Sequence, residues 1–260
     1  AMSAGRAALQ AHWPEYLIEA AGLGVFMVTA GLCVMLAGTP PAEAALPSPG
    51  LHRALLGIAM GLTAIALIYS PWGRRSGAHF NPAVTLTFLR LGKVSGRDAS
   101  FYVAAQFAGG ILGIAGAAGL LRPWIADASV RYVATLPGPG GDLPAFAAEL
   151  GISFLMMFTV LNVSNRAPLM RFTGLVAASL VACFITFEAP LSGMSMNPAR
   201  TFGLSLVGGL TRGLWLYFAA PPLGMLSAAE LYVRIRGRLA VHCARLHHVG
   251  PCIFCQQGQA

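Results

Sequence analysis

Two asparagines carry the most specific chemistry in this chain. Asn81 and Asn197 each open the tripeptide Asn-Pro-Ala, as Asn81-Pro82-Ala83 and Asn197-Pro198-Ala199. A side-chain amide offers two N–H donors and one carbonyl acceptor, so each suits hydrogen bonding to an oxygen on a small uncharged molecule. Arg200 follows the second copy directly and adds a fixed positive charge. Glu19 and Glu149 are acids within long apolar runs, where an unpaired carboxylate is very costly. Both are expected to accept hydrogen bonds from backbone N–H groups and to act as scaffold, not as proton carriers, with Gln106 in the same role. Inside the apolar runs no His, Cys and Asp residues converge, so an enzyme is not expected. Near the C-terminus, Cys243, His247, Cys252 and Cys255 form a C-x3-H-x4-C-x2-C pattern, with His248 an alternative to His247. Four such ligands suit a tetrahedral structural zinc; the competing reading is a disordered tail with incidental cysteines.

The elements that position these residues follow from composition. Of the 260 residues, 56% are hydrophobic and only 10% are charged, against about a quarter charged in soluble domains. Mean hydropathy is +0.67. The apolar stretches are long and unbroken, which favours helices over the short alternating segments of a membrane barrel. The net charge is +8, but the basic residues lie between apolar runs, not on a face beside stacking aromatics, so nucleic-acid binding is excluded. The first thirteen residues hold no apolar core of the kind a cleavable signal peptide needs.

A membrane-crossing helix needs about twenty apolar residues. Six runs qualify, at about Tyr16–Ala37, His52–Tyr69, Phe101–Leu121, Ala145–Val163, Phe172–Ala189 and Leu214–Ile235. Small residues recur in them, such as Gly57 with Gly61, and Gly109 with Gly113 and Gly116, allowing close helix approach. With the N-terminus placed inside, twelve of the seventeen Lys and Arg fall on the inner side, which puts both termini in the cytoplasm of a cell with this protein in its plasma (inner) membrane. Two further segments are too short to cross. Each starts at an Asn-Pro pair and continues for nine residues, Ala83 to Leu91 and Ala199 to Val207, before a glycine. Asn is a favoured N-cap and Pro a favoured first helical residue, so these are half-helices over 81–91 and 197–207.

Each half of the chain therefore reads span, span, half-helix, span. Three spans is odd, so the second half is inverted, and the half-helices enter from opposite faces to meet near the midplane. The expected organisation is an N-terminal segment (1–14), a first repeat (15–122), a connecting loop (123–143), an inverted second repeat (144–235) and a basic Cys-His tail (236–260). Two helix N-termini meeting at mid-bilayer, each carrying about half a positive charge, oppose protons and cations. Asn81 and Asn197 are expected to turn amide N–H groups toward the lumen. The irregular stretches Gly77-Ala78-His79 and Gly193-Met194-Ser195 would expose carbonyls to a water-filled path. His79 is expected to be a hydrogen-bonded loop residue. Met156 and Met157, like Met27 and Met35, read as packing or lipid-facing residues, and Glu188 has no assigned role.

SGAHFNPAVT (Ser76–Thr85) and SGMSMNPARTF (Ser192–Phe202), with Glu19, Glu149 and YVAAQ ending at Gln106, resemble the signature loops of the aquaporin, or major intrinsic protein, family. The resemblance covers about Glu15 to Arg234. It implies an all-α membrane protein with six spans and two re-entrant half-helices, acting as a passive channel for water and assembling as a homotetramer with one pore per copy. It implies that the loop carbonyls form a ladder of acceptors and that Arg200 lines the narrowest outer constriction. It places the other constriction positions at Met194, at Ile185, and at either Met60 or Gly61. No histidine stands among these, which favours less polar solutes, whereas Thr201, Tyr217 and Phe218 resemble water-channel markers. The expectation is water first, and glycerol, hydrogen peroxide, ammonia or urea second, with no cofactor needed for transport. A secondary transporter would need an ion-coupling carboxylate beyond the scaffold pair and Glu188. A non-conducting structural member is the remaining alternative.

Overall fold

The structure, a computed structural model, describes residues 4–38, 48–127, 130–247 and 253–254. The first helix, α1 (Ala4–Ala37), begins well before Tyr16, so much of the expected N-terminal segment continues the first span. Ser48 caps α2 (Pro49–Tyr69) by accepting from Leu51 N, with Pro49 in the first turn. Ser70 then ends α2 and caps a six-residue helix, α3 (Pro71–Ser76), which sequence reading did not anticipate. The first half-helix is α4 (Pro82–Arg90), and α5 (Gly96–Leu121) completes the first repeat. The second repeat holds α6 (Asp142–Ser164), α7 (Thr173–Phe187), a four-residue helix α8 (Ala189–Ser192), the half-helix α9 (Pro198–Gly208) and α10 (Leu214–Arg236). Short 3-10 turns occupy Trp124–Ala126 and Arg131–Val133 in the connection, Met170–Phe172 before α7, and Arg238–Ala240 after α10. No strand occurs among the described residues.

Five helices among the described residues are long and apolar enough to cross a membrane: Gly5–Ala37, Pro49–Tyr69, Gly96–Leu121, Asp142–Ser164 and Met170–Phe187. The sixth expected run forms α10. Its 23 residues reach about 35 Å at 1.5 Å each, but Pro221, Pro222 and Glu230 make it less apolar.

The two repeats pack by the same device. A Cβ added at Gly109 of α5 would sit 2.1 Å from the Ala20 carbonyl oxygen of α1, and one at Gly224 of α10 would sit 2.4 Å from that of Leu150 of α6. Glycine at these points lets the first and third spans of each repeat touch backbone to backbone. Ala20 and Leu150 each follow the buried glutamate of their repeat, so this contact fixes the depth at which Glu19 and Glu149 sit. Polar clamps hold the inner end, the end where α1 begins and α10 finishes. Tyr16 OH donates to Asp98 Oδ1 at 2.7 Å, His12 Nδ1 lies 2.8 Å from the same oxygen, and Arg75 Nε donates to Glu15 Oε1 at 2.9 Å.

Candidate functional site

Each re-entrant loop is a strained backbone held by one carboxylate. In the inner loop, Gly77, Ala78 and Phe80 have φ of 98°, 57° and 47°; in the outer loop, Gly193, Met194 and Met196 have 77°, 49° and 53°. Non-glycine residues in this region cost about 1–3 kcal/mol each, so the loops need specific support. Glu19 Oε1 accepts from His79 N (3.1 Å) and Ser76 Oγ (2.8 Å), and its Oε2 from Phe80 N (2.5 Å) and Gln106 Nε2 (2.8 Å). Glu149 Oε1 accepts from Ser195 N (2.5 Å) and Ser192 Oγ (2.8 Å), and its Oε2 from Met196 N (2.8 Å). Glu19, Glu149 and Gln106, the residues expected to serve as scaffold, make these contacts. Two tyrosines complete the frame: Tyr102 OH donates to Ser76 O at 2.6 Å and Tyr217 OH to Ser192 O at 2.5 Å.

The loops aim the half-helices at each other. Asn81 Oδ1 accepts from Ala83 N (2.8 Å), and Asn197 Oδ1 accepts from Ala199 N (3.1 Å) and Arg200 N (3.2 Å). Pro82 and Pro198 occupy first-turn positions whose backbone donors would otherwise be orphaned. The amide groups then cross. Asn81 Nδ2 donates to Met196 O at 2.7 Å, and Asn197 Nδ2 donates to Phe80 O at 2.8 Å. One N–H of each amide is spent on the opposite loop, which leaves the second for the lumen that both side chains line. Sequence reading assigned the amides to the lumen and missed this mutual bond.

A cavity of about 530 Å³ runs past both asparagines, bounded toward the outer end by Arg200 and Leu136 and toward the inner end by Ile68 and Leu246. Met60, Ile185 and Met194 line it with Arg200. Gly61 does not: a Cβ there would meet the Ala178 carbonyl oxygen at 3.0 Å, so Gly61 faces α7. Arg200 Nη1 donates to Met194 O at 2.7 Å and to Thr135 Oγ1 at 3.2 Å. Thr135 belongs to the connection between the repeats and carried no signal in the sequence. Met156 and Met157 are buried in the core, as the packing expectation has it, and they also line the cavity. Tyr217 and Phe218 do not line it: Tyr217 is the buried loop prop just described, and Phe218 stacks on Phe107 with ring centroids 5.9 Å apart. They therefore report on scaffold, not on solute.

Glu188, left without a role, sits beside the outer loop. The Ser192 hydroxyl contacts both Glu188 and Glu149. At the inner loop, His79 is the hydrogen-bonded residue expected. Its Nδ1 lies 3.0 Å from Thr85 Oγ1 and its Nε2 lies 2.7 Å from Ala244 O. Because a carbonyl only accepts, Nε2 carries the hydrogen. The Gly77 carbonyl, expected to face a solute, instead accepts from Leu246 N at 3.1 Å. Of the expected metal ligands, Cys243 and His247 are buried in this folded-back tail, with the His247 ring against Tyr69 (centroids 4.7 Å apart). Cys252, Cys255 and the alternative His248 lie outside the described residues. Among the described residues no cluster of three or more His, Cys, Asp or Glu is placed to hold a metal.

Comparison with known proteins bears on the whole arrangement. The sequence pattern of the family described as Major intrinsic protein matches residues 7–232. The chain is similar to Aquaporin NIP1-3 of Oryza sativa subsp. japonica, at 36% identity over 216 residues, covering 82% of this chain and 71% of that protein. It is similar to Aquaporin NIP1-2 of Arabidopsis thaliana at 36% identity, covering 81% of this chain and 70% of that one. Nodulin-26 of Glycine max matches at 35% identity over 70% of this chain and 65% of its own length. Among solved structures, the X-ray structure of the aquaglyceroporin from Plasmodium falciparum superposes with a TM-score of 0.75 at 20% sequence identity, covering 88% of this chain and 98% of that one. At that identity the likeness speaks to the fold.

Proposed function

This chain belongs to the major intrinsic protein family, integral membrane channels and not enzymes, and on that premise we propose that it passes small uncharged solutes, water among them, while excluding protons and ions. The observation that carries the reading is the crossed asparagine pair, which joins two helix N-termini end to end on the wall of one cavity. A solute oxygen there meets two amide donors and two positive dipole ends, so a passing water cannot also accept freely from its neighbours. The proton wire is interrupted at that point.

The wall at the outer constriction favours a broader solute range than water alone. Met60, Ile185 and Met194 are apolar, and Arg200 supplies the charged donor. A solute carrying both hydroxyls and hydrocarbon, such as glycerol, can place one side on the thioethers and the other toward Arg200. Water gains nothing from the apolar side. This reverses the order expected from Thr201, Tyr217 and Phe218, none of which lines the cavity. The reading includes a homotetramer with a pore in each copy, on family resemblance, and an inner end facing the cytoplasm of a plasma membrane, on the distribution of Lys and Arg.

Stopped-flow volume changes of vesicles reconstituted with the protein test this reading. Glycerol and water are both expected to equilibrate faster than in empty vesicles, with proton leak unchanged. Water flux with no glycerol flux narrows the channel to water. Absence of both sinks the reading.

A further inference from the structure

The tail beyond α10 is built into the conduit. After Arg236 the chain turns at Gly237, whose φ of 84° suits glycine, and passes an exposed turn with Leu239 93% exposed. It then dives. Val241, Cys243, Ala244, Leu246 and Phe254 are all buried and join the same apolar core as the spans. Four fastenings hold this strap. His242 N donates to Asn165 Oδ1 at 2.8 Å, Leu246 N donates to Gly77 O at 3.1 Å, His79 Nε2 donates to Ala244 O at 2.7 Å, and Arg245 donates to the Arg74 carbonyl. Phe254 stacks on the His79 ring at 5.6 Å with the planes 8° apart, on the side opposite Phe88, which stacks at 5.3 Å. The Leu246 side chain lines the conduit.

We propose that residues 241–247 with Phe254 form a detachable inner gate, which closes the channel from the inner end by occupying the polar groups a solute would use there. The proposal rests on the channel reading and names its regulation. Gly77 O and His79 Nε2 belong to the re-entrant loop that faces the path, and the strap's backbone takes both, one as donor and one as acceptor. In this sense the strap stands in for permeant. It is joined to the helical bundle through an exposed turn at a left-handed glycine and sits outside all the spans, so it can leave without unwinding a helix. The wild type conducts only during the fraction of time the strap is away.

Two substitutions in the full chain test the gate. Leu246→Ala removes the side chain that lines the conduit and packs into the core, and Phe254→Ala removes the ring over His79; neither touches a helix. Solute flux in reconstituted vesicles is read beside trypsin cleavage after Arg245, which is 6% exposed while the strap is seated. The expected result is new cleavage at Arg245 together with a roughly tenfold rise in water and glycerol flux. Cleavage with flux above that of empty vesicles but unchanged or reduced overturns the gate and makes the strap a buttress. Continued protection of Arg245 in both variants overturns it as well, since the strap is then not detachable. Flux no greater than in empty vesicles for every form, with Arg245 cleaved, removes the channel reading beneath it.

Discussion

The inner and outer re-entrant loops share a plan and differ in what covers them. Position by position, Ser76 matches Ser192, Gly77 matches Gly193, His79 matches Ser195, Thr85 matches Thr201 and Tyr102 matches Tyr217. The carboxylate supports and the tyrosine props recur with nearly the same lengths. The differences lie at the lumen. Val84 stands where the outer half-helix has Arg200. The His79 ring reaches the tail, whereas the Ser195 hydroxyl stays inside its own loop, against Thr201 and Asn197 O. The inner loop is covered by the strap, and the outer loop by residues 135–138, where Gly138 N donates to Leu191 O at 2.9 Å and Thr135 meets Arg200. The duplicated parts hold the backbone; the parts that face the lumen and cover the loops are not duplicated.

The largest effect is expected where the plan is shared. Glu19→Ala and Glu149→Ala each leave strained loop N–H groups buried without an acceptor, at a cost of roughly 3–5 kcal/mol. Thermal unfolding in detergent should show both strongly destabilised, and a mild effect at either site breaks the shared plan. Arg200→Val gives the outer half-helix the residue type of the inner one. Proton and cation leak should rise on the order of tenfold while water flux persists; an unchanged leak removes Arg200 from ion exclusion. Tyr102→Phe and Tyr217→Phe each delete one hydrogen bond to a loop carbonyl, worth about 1 kcal/mol. Their melting shifts should be nearly equal, and a marked difference shows that the two props are not equivalent. The smallest effect belongs to Thr135→Val, which removes one of two described acceptors of Arg200 and leaves Met194 O. Glycerol flux should change by no more than about threefold, and a larger change makes the connection itself a selectivity element.

Sequence alone reached the spans, the half-helices and the inversion, because these depend on run length and on Asn-Pro caps that act locally. It also led to the expectation that Glu19 and Glu149 find hydrogen-bond donors, since buried charge demands partners, and both have them. It did not reach α3 and α8, which at six and four residues are too short for apolar periodicity to register. Ser70-Pro71 and Pro190 were the available signals. It gave Met156 and Met157 their packing but not their place at the lumen, because a methionine on a buried face reads the same toward a neighbour or a lumen. It left Met60 and Gly61 open, a choice settled only by the approach of the Ala178 carbonyl to Gly61. The strap was illegible because Val241, Ala244, Leu246 and Phe254 follow no helical or strand period; their burial comes from the groove that receives them.

The crossed amides have a mechanical consequence. Asn81 and Asn197 rivet the waist of the molecule, each tied to the residue that precedes the other. Widening the waist for a bulkier cargo would shear both rivets and release two helix caps together. On the proposed reading, traffic through a passage so fastened would be governed at its doorways, while its middle keeps a constant bore.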